Sequence, residues 1–189
     1  MRIMAGSARR RSIKSPSFST GVRPILGRVK KSLFDILRPK LEGAEFLDLF
    51  AGSGAVGLEA LSRGARRVTF VDMNARCLSV IRQNLSRLRF FDRARLVKAD
   101  ATRNLSAAGG PFHLIFMGPP YHDAQWNRLH LTEPTLREIA RTGLLEPGGW
   151  VVSQHHAKEN PVTLSGWKMF RQEFYGDTRL SFFTHEPGA

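Results

Sequence analysis

From residue 45 onward the chain alternates short apolar runs with stretches of helical spacing, and this alternation restricts the possible folds more than any other feature. Glu45–Phe50 predicts a buried strand, followed by a glycine turn and a helix near 55–63. Arg67–Asp72 predicts a second strand, and Leu78, Ile81, Leu85 and Leu88 mark one face of a helix over roughly 74–90. Arg95–Ala99 and Phe112–Met117 predict a third and a fourth strand. Leu136, Ile139 and Leu144 suggest another helix, stopped by Glu146-Pro147-Gly148-Gly149 before a strand at Trp150–Gln154. Trp167–Phe174 and Thr178–His185 flank Tyr175-Gly176-Asp177, a hairpin signal. Strands alternating with helices predict an α/β fold, a mostly parallel sheet covered on both faces, to which the hairpin adds an antiparallel edge.

The first forty residues read differently. Residues 2–14 mix small, apolar and basic side chains and suggest a short β-ribbon, and Ser15 to Gly21 forms a Ser/Pro loop. Apolar positions 26, 29, 33 and 36–37 then have helical spacing, ended by Pro39. This segment holds eleven basic side chains and one acid, Asp35, whereas the rest of the chain holds eighteen basic and fifteen acidic. A nearly neutral core (41–189) therefore carries a basic extension (1–40) expected to pack on it, the footprint of a polyanionic partner. A solvated tail or an Arg/Ser-rich transit peptide would also be basic. Against those readings, Val22 to Pro24 and the periodic Leu26, Val29, Leu33, Phe34 and Leu37 look built into the fold, and no apolar stretch follows the first basic residues as a secretory signal needs. No run of 18 apolar residues exists, which excludes a helical membrane span. The lone Cys77 excludes an internal disulfide framework and fits a reducing, cytoplasmic setting.

In open α/β sheets ligands bind outside the carboxyl ends of the strands, which draws attention to four segments. Asp48-Leu-Phe-Ala-Gly52-Ser-Gly54-Ala-Val-Gly57 contains G-x-G-x-x-G, a weak signal alone, since any tight strand-to-helix turn needs glycines. Asp72 ends the next strand, where an acid can bind ribose hydroxyls. Together they indicate a nucleoside-containing cofactor. Asp48, four residues before Gly52, suits an ammonium better than a pyrophosphate, which favours S-adenosylmethionine over NAD. Asp100 ends the third predicted strand. The fourth is followed by Gly118-Pro119-Pro120-Tyr121, a turn whose prolines fix outward carbonyls as acceptors and whose tyrosine offers a flat face to a base. A Pro-Pro loop with a core tyrosine is the plain alternative. His155-His156 lacks metal-ligand spacing and reads as surface or strand-end histidine. Cys77 reads as packing, and Trp126 as either a cover for the base pocket or a packed loop residue.

These blocks resemble the amino-group methyltransferases with an Asp/Asn-Pro-Pro-Tyr/Phe motif, and closely the bacterial small-subunit ribosomal RNA guanine-N2 methyltransferases of the RsmD family. The resemblance runs over nearly the whole chain: Arg2-Ile-Met-Ala-Gly with its basic run, Arg23-Pro24 and Arg28-Val-Lys-Lys-Ser-Leu-Phe34, Leu47 through Gly64, and Tyr175-Gly-Asp-Thr-Arg-Leu-Ser-Phe182. It implies a three-layer, Rossmann-like class I methyltransferase fold with seven strands. It also implies that Phe50, Ala51, Gly52, Ser53 and Gly54 hold the methionine part of S-adenosylmethionine, beside Asp48 as a further cofactor-binding residue. Asp72 would meet the ribose, with Met73 a further cofactor-binding position, Asp100 and Ala101 the adenine, and Pro119, Pro120 and Tyr121 the target guanine, Gly118 opening that catalytic turn. Arg9, Arg10, Arg11, Arg23 and Arg28 would grip 16S ribosomal RNA, in assembling 30S particles, with the protein acting as a monomer.

Three positions depart from the pattern: Gly118 stands where the acidic or amide residue opens the motif, Gly27 where an Asp is usual, and Ile25 where a Thr is usual. An exocyclic amine is a poor nucleophile because its lone pair is delocalised, and two acceptors on its N–H bonds would draw the nitrogen toward sp³. Gly118 keeps the carbonyl acceptor and loses the side-chain one, a loss of ~10²–10³ in rate for a comparable transition-state hydrogen bond. Asp123 or His122 could replace it if the loop folds back. The readings left open are a methyltransferase of this family, a DNA adenine-N6 enzyme using the same motif, a relative that binds RNA or pre-ribosomal particles without turnover, and, more distantly, a dinucleotide oxidoreductase.

Overall fold

A computed structural model describes residues 1–16, 25–161 and 164–186. Its centre is a seven-stranded sheet of β1 (Glu45–Leu49), β2 (Arg67–Val71), β3 (Ala94–Val97), β4 (Phe112–Met117), β5 (Leu145–His156), β6 (Trp167–Tyr175) and β7 (Thr178–His185). The order is β3-β2-β1-β4-β5-β7-β6; β1 to β5 pair in parallel and β7 joins antiparallel to both neighbours. This is the α/β class expected from the alternation. Helices α1 (Gly27–Leu41), α2 (Ala55–Ser62), α3 (Ala75–Leu88) and α4 (Thr132–Thr142) complete it.

Period-2 alternation divides the core. Phe46, Val68, Phe70, Leu114, Phe116, Val152 and Phe182 point to one face, where α1, α2 and α3 cover them. Leu47, Leu49, Val71, Ile115, Met117 and Val151 point to the other, under α4 and the segment around Leu105. Chain order runs outward from β1 to β3 and then crosses back to β4, so β1 and β4 flank the switch point where such sheets open a crevice.

The two elements that differ most from the sequence reading involve proline. Pro39 lies inside α1, which continues to Leu41. The carbonyl left without a partner sits on an exposed turn where water reaches it, and Leu41 is anchored in the core. Glu146-Pro147-Gly148-Gly149 does not precede β5 but lies within it. The strand begins at Leu145 against Phe112, and pairing shifts register between Phe112 and Leu114, an irregularity of the kind that admits Pro and Gly into a strand.

Residues 1–16 are packed on the core. Ile3 N–H donates to Arg11 O and Ile13 N–H to Met1 O, with an isolated antiparallel bridge between Arg2 and Ser12, so the expected ribbon is a tight loop rather than paired strands. Its Met4 and Ala5 N–H groups donate to Glu59 on α2 (2.9 and 3.0 Å), and Lys14 exchanges two hydrogen bonds with Asn84 on α3. Among the described residues no helix is long and apolar enough to cross a membrane.

Candidate active site

Two turns meet at the carboxyl ends of β1 and β4. After Leu49 the chain reverses within five residues, with Phe50, Gly52 and Gly54 all in left-handed backbone (φ 56°, 54° and 74°), and enters α2. Asp48 locks this turn, its Oδ2 accepting from Gly57 N–H at 2.8 Å. Gly57 has to be glycine: a Cβ there would lie 2.3 Å from the Phe70 ring, so only a bare backbone lets α2 rest on β2. The second turn, Gly118-Pro119-Pro120-Tyr121, is tied to the first by Gly118 N–H donating to Leu49 O.

Between them lies a cavity of about 390 Å³, within the usual size of a small-molecule site. Asp48, Phe50, Ala51, Gly52, Ser53, Asp72, Met73, Asp100, Ala101 and the four residues Gly118 to Tyr121 line it. Gly54 does not. It sits behind the turn as the N-cap of α2, where a Cβ would meet Ile81 and Phe70, because the left-handed turn carries it toward the core.

Three carboxylates line the cavity, and no Lys, Arg or His does so among the described residues. Burial pushes the Asp48 carboxyl up to about 8, helped by repulsion from Asp72 and opposed by the Gly57 N–H. Asp72 is also raised by burial, against the N–H groups of Asn74 and Gly52 that its two oxygens accept at 2.8 Å. Asp100 is held below its usual value, as hydrogen bonds from Thr102 and the charge of Arg103 outweigh its modest burial. Carboxylates with no described cation beside them suit a ligand carrying positive charge better than a pyrophosphate. The Cys77 thiol also lines the cavity but is pushed up to about 11 by burial and by Asp72, so it stays protonated and acts as packing.

Beyond the Pro-Pro turn, Tyr121 Oη donates to Thr178 Oγ1 on β7 (3.3 Å) and accepts from Gln154 Nε2 on β5 (3.2 Å). Gln154 lines the cavity, and its Oε1 is buried with no hydrogen-bond partner. The sequence reading missed it, although the signal existed: Gln154 ends a predicted strand, as the other site residues do. Asp123 and His122 do not stand in for a Gly118 side chain. Asp123 accepts from Gln125 N–H, Asn127 N–H and Asn127 Nδ2 of its own loop, and His122 lies against Trp126 and His156; neither lines the cavity. Trp126 is not packed but 80% exposed. His155 is not a surface residue: β5 carries it into the interior, where Nε2 pairs with Ser181 Oγ at 2.8 Å. Among the described residues no group of His, Cys, Asp and Glu could hold a metal ion.

Of the basic candidates, Arg9, Arg10 and Arg28 are exposed. Arg11 is exposed too, but its guanidinium donates to the Arg87 carbonyl at the end of α3. Arg23 lies outside the described residues. None of the described four lines the cavity.

The family model described as conserved hypothetical protein 95 matches residues 1–184. Ribosomal RNA small subunit methyltransferase D of Escherichia coli K12 is 33% identical over 193 residues, 98% of this chain and 90% of that one. A candidate rRNA methyltransferase of Bacillus subtilis, YlbH, is 36% identical over 187 residues, covering 97% and 98%. The solved structure of an Escherichia coli candidate methyltransferase, yhhF, superposes with a TM-score of 0.84 at 30% identity over 98% of both chains.

Proposed function

We propose that this chain, which belongs to the conserved hypothetical protein 95 family with ribosomal RNA small subunit methyltransferase D, transfers a methyl group from S-adenosylmethionine to the N2 amine of a guanine in 16S ribosomal RNA. The observation that carries the reading is the composition of one cavity: three carboxylates and, among the described residues, no cation on its cofactor side, opening onto a rigid Pro-Pro-Tyr turn. S-adenosylmethionine has an ammonium and a sulfonium and no phosphate, and when bound it supplies an already activated methyl. What remains for the protein is alignment. Asp48 meets the ammonium, Asp72 the ribose hydroxyls, and Asp100 with Ala101 the adenine. A guanine turned out of its stack lies on Tyr121, whose hydroxyl is fixed by Thr178 and Gln154. Its amine donates to main-chain carbonyls of the Pro119–Pro120 turn, and the acceptor that Gly118 lacks is supplied by Gln154 Oε1. Arg9, Arg10 and Arg28 hold RNA phosphates, in a monomer acting on assembling 30S particles.

Gly118 supports a second reading, a relative that binds cofactor and RNA without turnover. Its backbone is not left-handed, so an L-residue is admissible; a Cβ would lie 3.1 Å from the Phe116 ring, which must give by a few tenths of an ångström. Tritiated S-adenosylmethionine with unmodified 30S particles, for the natural protein, Gly118→Asp and Gln154→Leu, separates the two. Label on guanine N2 with the natural protein, reduced ~10²–10³-fold in Gln154→Leu, is expected. Label only with Gly118→Asp would mean intact pockets without turnover, and no label from either would sink the substrate assignment.

A further inference from the structure

Among the described residues Trp126 is the most exposed of the large apolar side chains, 80% accessible, and the loop that carries it is held by a set of hydrogen bonds. Asp123 pins both sides of the loop: its Oδ1 accepts from Gln125 and Asn127 N–H, its Oδ2 from Asn127 Nδ2, and its carbonyl from Trp126 N–H at 3.2 Å. His122 and Arg128 form a bridge across the loop, and Leu129 N–H closes its base on Tyr121 O. Trp126 itself holds a left-handed backbone (φ 64°), a conformation that bulky side chains adopt only when their surroundings impose it. The hydrogen bonds thus fix the backbone from which an exposed indole projects.

That place is continuous with the cavity. The Tyr121 ring, which lines it, meets His156 edge-on at 5.7 Å; His156 faces His122 at 6.3 Å, and His122 faces Trp126 at 5.5 Å. Four rings therefore lead from the base pocket to the surface. Both signs of charge flank this path: after burial, Arg128 contributes most to holding His156 below its usual value, with smaller contributions from His122 and Lys158 and against Asp177, and Asp123 is the acid on the loop itself. A flat apolar face with Arg128 two residues along the same loop suits an aromatic anion such as a nucleotide and is a poor match for an apolar peptide.

We infer that Trp126 is a stacking platform for an unpaired nucleotide flanking the target guanine, with Arg128 on its phosphate. This rests on the RNA reading above. It gives the enzyme a means of preferring guanines in single-stranded or splayed surroundings, because a neighbour held in a duplex cannot offer its face to the indole.

The test uses the full chain with a short, fluorescently labelled single-stranded RNA carrying one guanine. Trp126→Ala is expected to weaken binding by roughly 5- to 150-fold, the range of one base–aromatic stack, and Trp126→Phe to recover most of it. Stacking releases no counterions, so the slope of log K against log salt should be unchanged in Trp126→Ala and shallower in Arg128→Ala. Melting temperature and cofactor affinity should not move. Equal affinity of natural protein and Trp126→Ala would overturn the platform, as would a Trp126→Phe as weak as Trp126→Ala, or no RNA binding at all. A defect confined to 30S particles and absent with the free RNA would assign Trp126 to a ribosomal protein instead. Methyl transfer to unmodified 30S particles, measured in parallel, keeps the two readings apart. Trp126-dependent binding without methyl transfer would sink the enzyme and leave the platform, and transfer insensitive to Trp126 would do the reverse.

Discussion

Asp48 is a side chain whose chemistry is set by its surroundings. Its ordinary value is 3.8, and in the fold burial pushes it to about 8. Between about pH 4 and 8 the unfolded chain has lost this proton while the native one keeps it, so Asp48 lowers stability progressively as pH rises through that window and adds no further change above it. A cationic ligand reverses the preference, because its charge favours the carboxylate. Binding of S-adenosylmethionine at pH 7 should therefore release a proton and tighten as pH rises toward 8. Calorimetry in two buffers of different ionisation heat checks this, and Asp48→Asn, which can still accept from Gly57, should abolish the release. Equal apparent heats in both buffers would separate Asp48 from the ammonium.

The elements are joined by groups far apart in the chain. Glu59 on α2 is fully buried and accepts four hydrogen bonds, from Met4 and Ala5 of the N-terminal loop, from Lys30 Nζ on α1 (3.0 Å) and from Arg63 Nε (2.8 Å). Burial pushes its carboxyl up, but Lys30, the Met4 N–H and Arg63 outweigh it and hold it below its usual 4.5. A depressed carboxyl contributes stability above the unfolded value that is lost as pH falls through the folded one. Glu59→Ala leaves Lys30 buried without a counter-charge and should cost about 3–5 kcal/mol in urea unfolding. Glu59→Gln should remove the part of the acid transition below pH ~4.5 that this group causes. An unchanged midpoint in Glu59→Ala would show that the loop is not clamped there. The closing hairpin is held comparably: Tyr175 bonds Ser32 on α1, and Thr178 accepts from Tyr121 at the cavity. The described blocks that resemble one family in sequence thus touch one another in space, Met4 and Ala5 on Glu59 and Tyr175 on Ser32.

For the molecule as a whole, the net charge of +13 overstates what an RNA can use. Lys30 is neutralised by Glu59 and Arg11, though still charged and exposed, is tethered to a helix carbonyl, leaving Arg9, Arg10 and Arg28 as the exposed described candidates with no such tether among the described contacts. RNA affinity should fall steeply with salt, by about 0.7 in log–log slope per phosphate neutralised on a single strand. Replacing these three arginines by alanine should make the slope shallower by about 2 and leave cofactor affinity unchanged. A slope that stays the same would move the RNA footprint elsewhere.

The strands and helices could be read from the chain because period 2, period 3.6 and the demands of glycine and proline are local properties, carried by neighbouring residues. The cavity-lining residues followed from one rule, that strand ends in an open α/β sheet face the ligand, and this placed Asp48, Asp72, Asp100 and the Gly118–Tyr121 turn together without coordinates. Sheet order and side-chain direction required the folded chain. They set Gln154 beside Tyr121, moved Gly54 behind the turn, buried His155, lifted Trp126 into water, and closed Glu59 on Lys30 across 29 residues. Each of these is a contact, or a missing one, between segments distant in sequence. Such contacts are fixed by how layers pack and which strands become neighbours, a choice the local pattern leaves open.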